Sequence, residues 1–410
     1  MENKTKLWNK NFSIMTIGSI VSMLGNSISG FAIGLLILDY TKSNFLYMLT
    51  LILYNLPKII VPSIAGPYLD KFSRRKAMYM LDFISAGLYG VIAYFSLSGA
   101  INFPVILSMC IIIGTIDSIY MVAYESLFPL LVNKENYRQA YSVSAVIGNI
   151  SQIGLFVAPI VYSTVGTAPL FGFNAFTFLI AAIFETMIKV DESHIQHLSE
   201  KYNIHAYVND FKIGMKYLLQ NKGLLYIVLF YTMLMSAGSV SHSLALPFFK
   251  DTEGLGVDKY VYIIIGMVAG RLTGSFYHYT NKVSDNKKYA IAVFAFFVMS
   301  MVDGSYMFMP LYLMIGFMFI SGLMTVTTYN LRMSSTQNYV PNEMRARFNG
   351  TFQTLTVLGA TIFGLIGGVL AEFVPIPYIA LGGSIIVIIS IFAIMIRGKS
   401  EVKRVYNHEY

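Results

Sequence analysis

The sequence predicts an all-α membrane protein of twelve transmembrane helices, arranged as two pseudo-symmetric six-helix bundles. Three observations predict it. The chain is 56% apolar and only 12% charged over 410 residues, too little charged surface for a soluble protein of this size. Apolar runs recur along the whole length, and many reach the ~20 residues a helix needs to cross a hydrocarbon core of about 30 Å. The basic residues concentrate in alternate connections between those runs.

The runs are continuous and lack period-2 alternation, so they read as helices, not as strands of a barrel. Lipid gives backbone groups no hydrogen bonds, which leaves helices as the remaining way across. The spans fall near 11–40, 43–65, 77–97, 103–132, 140–165, 168–190, 223–249, 257–280, 288–305, 308–338, 349–372 and 374–396. The first is far longer than the core of a signal peptide and reads as a retained span.

An even number of spans puts both termini on one side. With the termini inside, 23 of the 29 Lys and Arg residues lie at the inner face. They occupy the N-terminus, the 2–3, 4–5, central, 8–9 and 10–11 connections, and the C-terminus. Only Lys42, Lys250 and Lys259 fall in outer loops. The positive-inside rule therefore orients the chain with cytoplasmic termini. It also supports the count, since a missed helix would invert every later loop. The net charge of +8 is thus explained by loop anchoring, with no nucleic-acid partner implied.

The stretch 191–222 is the one long polar connection. It divides the chain into an N-terminal bundle (1–190), a cytoplasmic central loop (191–222) and a C-terminal bundle with a cytoplasmic tail (223–410). Within the loop, Val208, Phe211, Met215 and Leu219 fall near one helical face, which predicts an amphipathic helix on the inner membrane surface. The halves are related by one shift of 208 residues, which takes Gly66 to Gly274, Val132 to Val340 and Glu135 to Glu343. Parallel repeats of this kind place a substrate path at their interface, near the bilayer midplane.

Several chemistries are excluded or unsupported. Cys110 is the single cysteine, so there is no intrachain disulfide and no thiolate metal site. No phosphate-binding Gly-x-x-x-x-Gly-Lys-Ser/Thr loop exists, which argues against direct ATP drive. His194 and His197 are three apart but lie in the polar central loop and read as solvated. No clustered nucleophile and base point to an enzyme, and no cofactor or metal is expected.

The connection between spans 2 and 3 reads Gly66-Pro67-Tyr68-Leu69-Asp70-Lys71-Phe72-Ser73-Arg74-Arg75-Lys76. It resembles the signature loop of the major facilitator superfamily, Gly-x-x-x-Asp-Arg-x-Gly-Arg-Arg, in spacing and in topological position. The resemblance implies that Gly66 lets two helices approach closely. It also implies that Asp70, with Arg74 and Arg75, latches the cytoplasmic side, its carboxylate facing a helix N-terminus. Lys71 and Ser73 depart from the pattern, and the loss of an arginine removes a bidentate fork. His278 stands at the repeat position of Asp70. A further stretch, Val340-Pro341-Asn342-Glu343-Met344-Arg345-Ala346-Arg347, looks like the loop before span 11 in the macrolide-efflux and drug-exporter branch. Gly148, Gly154 and Ala158-Pro159 loosely resemble the helix-5 antiporter motif, with Ala in place of its Gly. The arginine often found in helix 4 of proton antiporters is absent from 105–120.

Ionisable side chains at membrane depth are costly and point to function or to a partner. Asp117 lies near the middle of span 4, and Glu125 about two turns nearer the cytoplasm. Lys58 is in span 2, Arg332 in span 10, Arg271 in span 8, and Asp82 near the inner end of span 3. Asp117 is the candidate for proton coupling; a carboxylate binding a cationic substrate is the alternative at that position. Glu125 is expected to pair with Lys58 or Arg332 as an inner gate, or as a static neutralising pair. In the family, spans 1, 4, 7 and 10 line the cavity, which makes Asn26, Tyr120, His242 and Asn330 cavity candidates beside Ser22, Ser118, Ser236, Ser239 and Tyr329. Ser and Asn serve equally as interhelical glue. The resemblance as a whole implies a monomeric, multi-pass transporter of the cell membrane, with a small-molecule substrate and H+ as coupling ion. Its expected action is ion-driven efflux of amphipathic or lipophilic compounds by alternating access. The alternative is uptake of a small nutrient or metabolite by symport.

Overall fold

The computed structural model describes residues 7–58, 61, 72–99, 102–133, 136, 139–140, 143–144, 147, 153–190, 204–281 and 283–407, with backbone alone at 204–207. Fourteen α-helices and no strand occur among them. In the first half these are α1 (Lys10–Thr41), α2 (Asn44–Asn55), α3 (Arg74–Ser98), α4 (Phe103–Leu127), α5 (Ile153–Val165) and α6 (Ala168–Thr186). A connecting helix α7 (Ile204–Gln220) follows. The second half holds α8 (Lys222–Asp251), α9 (Val257–Thr280), α10 (Lys288–Ser305), α11 (Leu311–Tyr339), α12 (Asn342–Leu370), α13 (Ile376–Ser390) and α14 (Lys399–Tyr406).

Among the described residues, nine helical segments are long and apolar enough to cross a membrane. They correspond to spans 1, 3, 4, 6, 7, 9, 10, 11 and 12. Helix α9 has 24 residues, ample length, but carries Asp258, Lys259 and Arg271 and is less apolar. Spans 2 and 5 are represented by α2 and α5, which run into residues outside the described set. Large apolar side chains such as Leu97, Phe276 and Ile389 are exposed on the helices, as lipid-facing surfaces require.

The helix starts follow from local chemistry. Asn9 accepts a hydrogen bond from the Phe12 amide, 3.0 Å, and its own amide donates to the Leu131 carbonyl, 2.7 Å. One side chain thus caps α1 and ties it to the 3-10 turn after α4. Ser73 caps α3 at the Lys76 amide and Asn102 caps α4 at the Val105 amide, both 3.1 Å, satisfying donors that have no partner inside the helix. Helix α3 ends where Gly99 turns left-handed, φ 67°. One sequence expectation is corrected. The stretch 342–347 is not a loop but the first turns of α12, which starts behind Pro341 with Glu343 in its first turn, where the helix dipole favours a carboxylate. On α7 the residues packed on protein are Gly214 and Leu218, with Phe211 and Met215 at the margin, while Val208 and Leu219 are left exposed.

The chain divides into two units: residues 1–43 with 50–207, and residues 44–49 with 208–410. Helix α7 therefore groups with the second. In the first unit the core gathers Phe12, Met15, Met78, Tyr124, Leu127 and Phe128. In the second it gathers Leu218, Phe230, Tyr231, Phe296, Phe348 and Tyr406. Close helix approaches rest on glycine in both. A methyl group on Gly114 would overlap the Tyr54 carbonyl oxygen, so α2 and α4 touch backbone to backbone there. In the second unit Gly266, Gly270 and Gly274 meet the carbonyls of Ile315, Phe319 and Leu323, and Gly322 meets that of Met267. This is the small-residue packing by which helices associate in lipid. Gly322 is the repeat mate of Gly114 under the shift of 208.

Candidate functional site

The contact at Gly114 positions the first polar group. It brings Tyr54 against α4, and one turn further on the Tyr54 hydroxyl donates to Asp117 Oδ2 at 2.5 Å. Lys58, one turn along from Tyr54, lies over the tyrosine ring with its ammonium 4.0 Å from the centroid. Asp117 is half-buried. It is therefore held by a neutral hydroxyl, and among the described residues no base lies within ion-pair distance of it. A carboxylate so placed can change charge without breaking a salt bridge. Lys58 likewise forms no ion pair among the described residues, and neither does Glu125, which is exposed on α4.

A second acidic group lies in the same unit. Helices α3 and α6 run antiparallel, with Ser96 bonded to Thr167 at 3.1 Å and Tyr89 stacked on Phe178 at 5.6 Å. Seven residues, two turns, from that stack on each helix stand Asp82 and Glu185, each 1% exposed. Tyr120, on α4, donates its hydroxyl to Glu185 Oε1 at 2.7 Å. Glu185 did not emerge from sequence reading. Its position at the end of span 6, one turn before Lys189, resembles an ordinary headgroup-level acid, and the available signal was a carboxylate still inside the apolar run.

The basic loop is tied down where it is described. Arg74 donates to the Ser126 carbonyl at 3.1 Å, at the end of α4. Arg75 donates to the Ile188 carbonyl, just past the end of α6. Both thus sit at helix C-termini, where a cation is favoured. Gly66, Asp70 and Lys71, like Glu135, Gly148, His194 and His197, lie outside the described residues. Gly154 packs α5 closely on α1 near Leu24 and Ser27.

Asn26 accepts from Asn174 at 3.5 Å, beside the tighter Asn174 to Ser29 bond of 2.6 Å, which makes this a helix-joining contact of α1 and α6. In the second unit Arg332 is 7% exposed. Its guanidinium stands over three rings, 4.5 Å from Phe352, 5.0 Å from Tyr231 and 5.4 Å from Tyr329. Tyr231 is fixed in turn by its hydroxyl on the Thr328 carbonyl, 2.8 Å. His242 is half-buried on α8, within electrostatic reach of the buried Asp303 and, through it, of Arg271. Asn330 is half-buried on α11. His278, the repeat mate of Asp70, bonds Thr327 at 3.0 Å. Among the described residues, no group of His, Cys, Asp and Glu is arranged to hold a metal.

Comparison with known proteins places this arrangement. The family model described as transmembrane secretion effector matches residues 4–406. The MFS-type transporter YkuC of Bacillus subtilis is 26% identical over 282 residues, covering 65% of this chain and 64% of that protein. Macrolide efflux protein A of Streptococcus pyogenes is 23% identical over 288 residues, covering 67% of this chain and 69% of its own. In fold, the chain is similar to the nucleoside transporter NupG, with TM-score 0.73 at 13% identity over 95% of this chain and 99% of that one. It is also similar to a bacterial homologue of the iron transporter ferroportin, with TM-score 0.65 at 14% identity, 93% and 98% covered. These proteins are transporters, not enzymes. With the family match running almost end to end, the chain belongs to the transmembrane secretion effector family of major facilitator transporters.

Proposed function

We propose that this protein is a proton-driven exporter of small amphipathic or lipophilic compounds, working as a monomer by alternating access. The observation that carries the reading is Asp117: a half-buried carboxylate at the middle of a span, held by the neutral Tyr54 hydroxyl at 2.5 Å. An intramembrane carboxylate held by a hydroxyl, with Lys58 near enough to act on its charge but not joined to it in an ion pair, is a natural place for a transported proton. Export is supported by the family description and by the likeness to a macrolide efflux protein over two thirds of the chain. The distribution of Lys and Arg supports a plasma-membrane protein with both termini in the cytoplasm.

The test uses inverted vesicles from cells making the protein, energised to an acid interior and followed with a pH-sensitive dye. Addition of macrolides and lipophilic cations is expected to release luminal protons, and only in vesicles holding active protein. Proton-driven accumulation of nucleosides or other polar nutrients by right-side-out vesicles, with no response in the inverted ones, would replace export by uptake.

A further inference from the structure

The Asp82 and Glu185 pair is not accounted for by the role given to Asp117. Both acids are almost wholly enclosed, each 1% exposed. The register of α3 and α6 sets them opposite one another, since the Tyr89–Phe178 stack lies two turns away on both helices. Tyr120 satisfies Glu185 Oε1. Glu185 Oε2 and Asp82 Oδ2 are enclosed with no hydrogen-bond partner among the described residues. No Lys, Arg or His of the described residues forms an ion pair with either acid.

The surroundings on each packed helix are as follows. On α4 the facing titratable groups are Tyr120, Tyr124 and Asp117, which add hydroxyls and a further acid. On α3 the cations before Asp82 are Arg74, Arg75 and Lys76; Arg75, two turns back on the same face, has its guanidinium on the Ile188 carbonyl, and Lys76, like Lys189 one turn beyond Glu185, is exposed. Helix α1, packed on α6 through Gly18 near Ala181 and Phe184, has no titratable side chain between Asn11 and Asp39. Two ionised carboxylates facing each other out of water, with no counter-ion, would each carry a desolvation cost of several kcal/mol and would repel one another besides. A single proton between them removes the repulsion and gives one of the two unpartnered oxygens an O–H to donate to the other.

We infer that Asp82 and Glu185 hold one proton between them, with the Tyr120 hydroxyl as their third member, forming a proton-binding site at the α3–α6 interface distinct from Asp117. The site deepens the proton-driven reading above, for which it supplies a second place to store a proton, but its existence is measurable without any transport.

The experiment is infrared difference spectroscopy on the purified full-length protein in lipid at neutral pH. The wild-type spectrum minus that of the Asp82→Asn/Glu185→Gln double variant is expected to show one protonated carboxyl stretch and one ionised carboxylate. The protonated band should persist in Asp117→Asn. In Tyr120→Phe, which keeps both acids and the ring packing, it should shift in frequency as the hydroxyl bond is lost. A difference spectrum containing carboxylate bands alone, or protonated bands alone, overturns the shared proton; so does a band that Tyr120→Phe leaves in place. If the double variant does not fold, the Tyr120→Phe comparison decides by itself. Failure of the proton-driven reading would be seen separately, as wild-type vesicles without pH-driven flux.

Discussion

In the first unit an acid meets hydroxyls; in the second a guanidinium meets rings. Asp117 takes a single hydrogen bond from Tyr54, while Arg332 sits among Tyr231, Tyr329 and Phe352. The repeat makes the contrast specific. The shift of 208 keeps the packing glycine, Gly114 becoming Gly322, but turns Asp117 into Thr325. It also carries Tyr54 to Tyr262, which is exposed where Tyr54 is bound to its acid. Helix packing in lipid depends on small residues wherever backbones touch, so both halves retain them. Charge is free to diverge. A carboxylate can lose its charge by taking a proton, whereas an arginine stays charged and must be satisfied permanently, here by ring faces.

The comparison is broken most severely at the shared packing positions. Gly114→Val and Gly322→Val each drive a side chain into a backbone carbonyl. Both are expected to lose most of the folded protein, by a destabilisation of ~3 kcal/mol or more, measured as monodisperse yield in detergent. If Gly322→Val alone were harmful, the two contacts would not be equivalent.

The next largest effect separates the two charges. Asp117→Asn is expected to reduce pH-driven flux at least about ten-fold, equivalent to ~1.4 kcal/mol, with normal folding. Arg332→Gln is expected to lower thermal stability instead, by ~2 kcal/mol for a desolvated cation over several rings, and to leave the pH dependence of transport as it was. A pH-dependent flux altered by Arg332→Gln would assign the cation to the coupling machinery.

The smallest effect is expected at the rim. Arg347 on α12 pairs with Asp210 on α7 at 2.8 Å, with both side chains partly exposed, beside the close contact of Gly214 with Thr351. Asp210→Asn should cost under about 1 kcal/mol, and less at high salt, by melting temperature in two buffers. A loss larger than Arg332→Gln would make the linker clasp, not the aromatic cage, the second unit's principal fastening.

Much of the fold was legible because membrane insertion forces a strong signal into sequence: long apolar runs and a biased distribution of Lys and Arg. The family followed from one loop, Gly66 to Lys76. The missed details are those in which local patterns are ambiguous. The run 342–347 looks like a polar loop, yet Pro341 and Glu343 are also what starts a helix. On α7 the residue that packs most tightly on protein is Gly214, against α12, a contact that an apolar stripe does not announce. Asp117 stood out as an acid near the middle of an apolar span. Its partner Tyr54 did not, being one of 29 tyrosines. Glu185 and Asp82 are remote in sequence and become neighbours only through the antiparallel register of α3 and α6. Tyr120 stood out through its span alone; the hydrogen bond of its hydroxyl to Glu185 needed the structure.

The central claim is that Asp117 carries the proton that drives export. Its most direct test is flux of a macrolide in proteoliposomes holding wild type or Asp117→Asn, with and without an imposed pH gradient. The account predicts that wild type concentrates the compound against its gradient when the pH difference is applied, and that Asp117→Asn exchanges it across the membrane at near wild-type rates without responding to pH. Gradient-driven accumulation by Asp117→Asn at the wild-type level would contradict it.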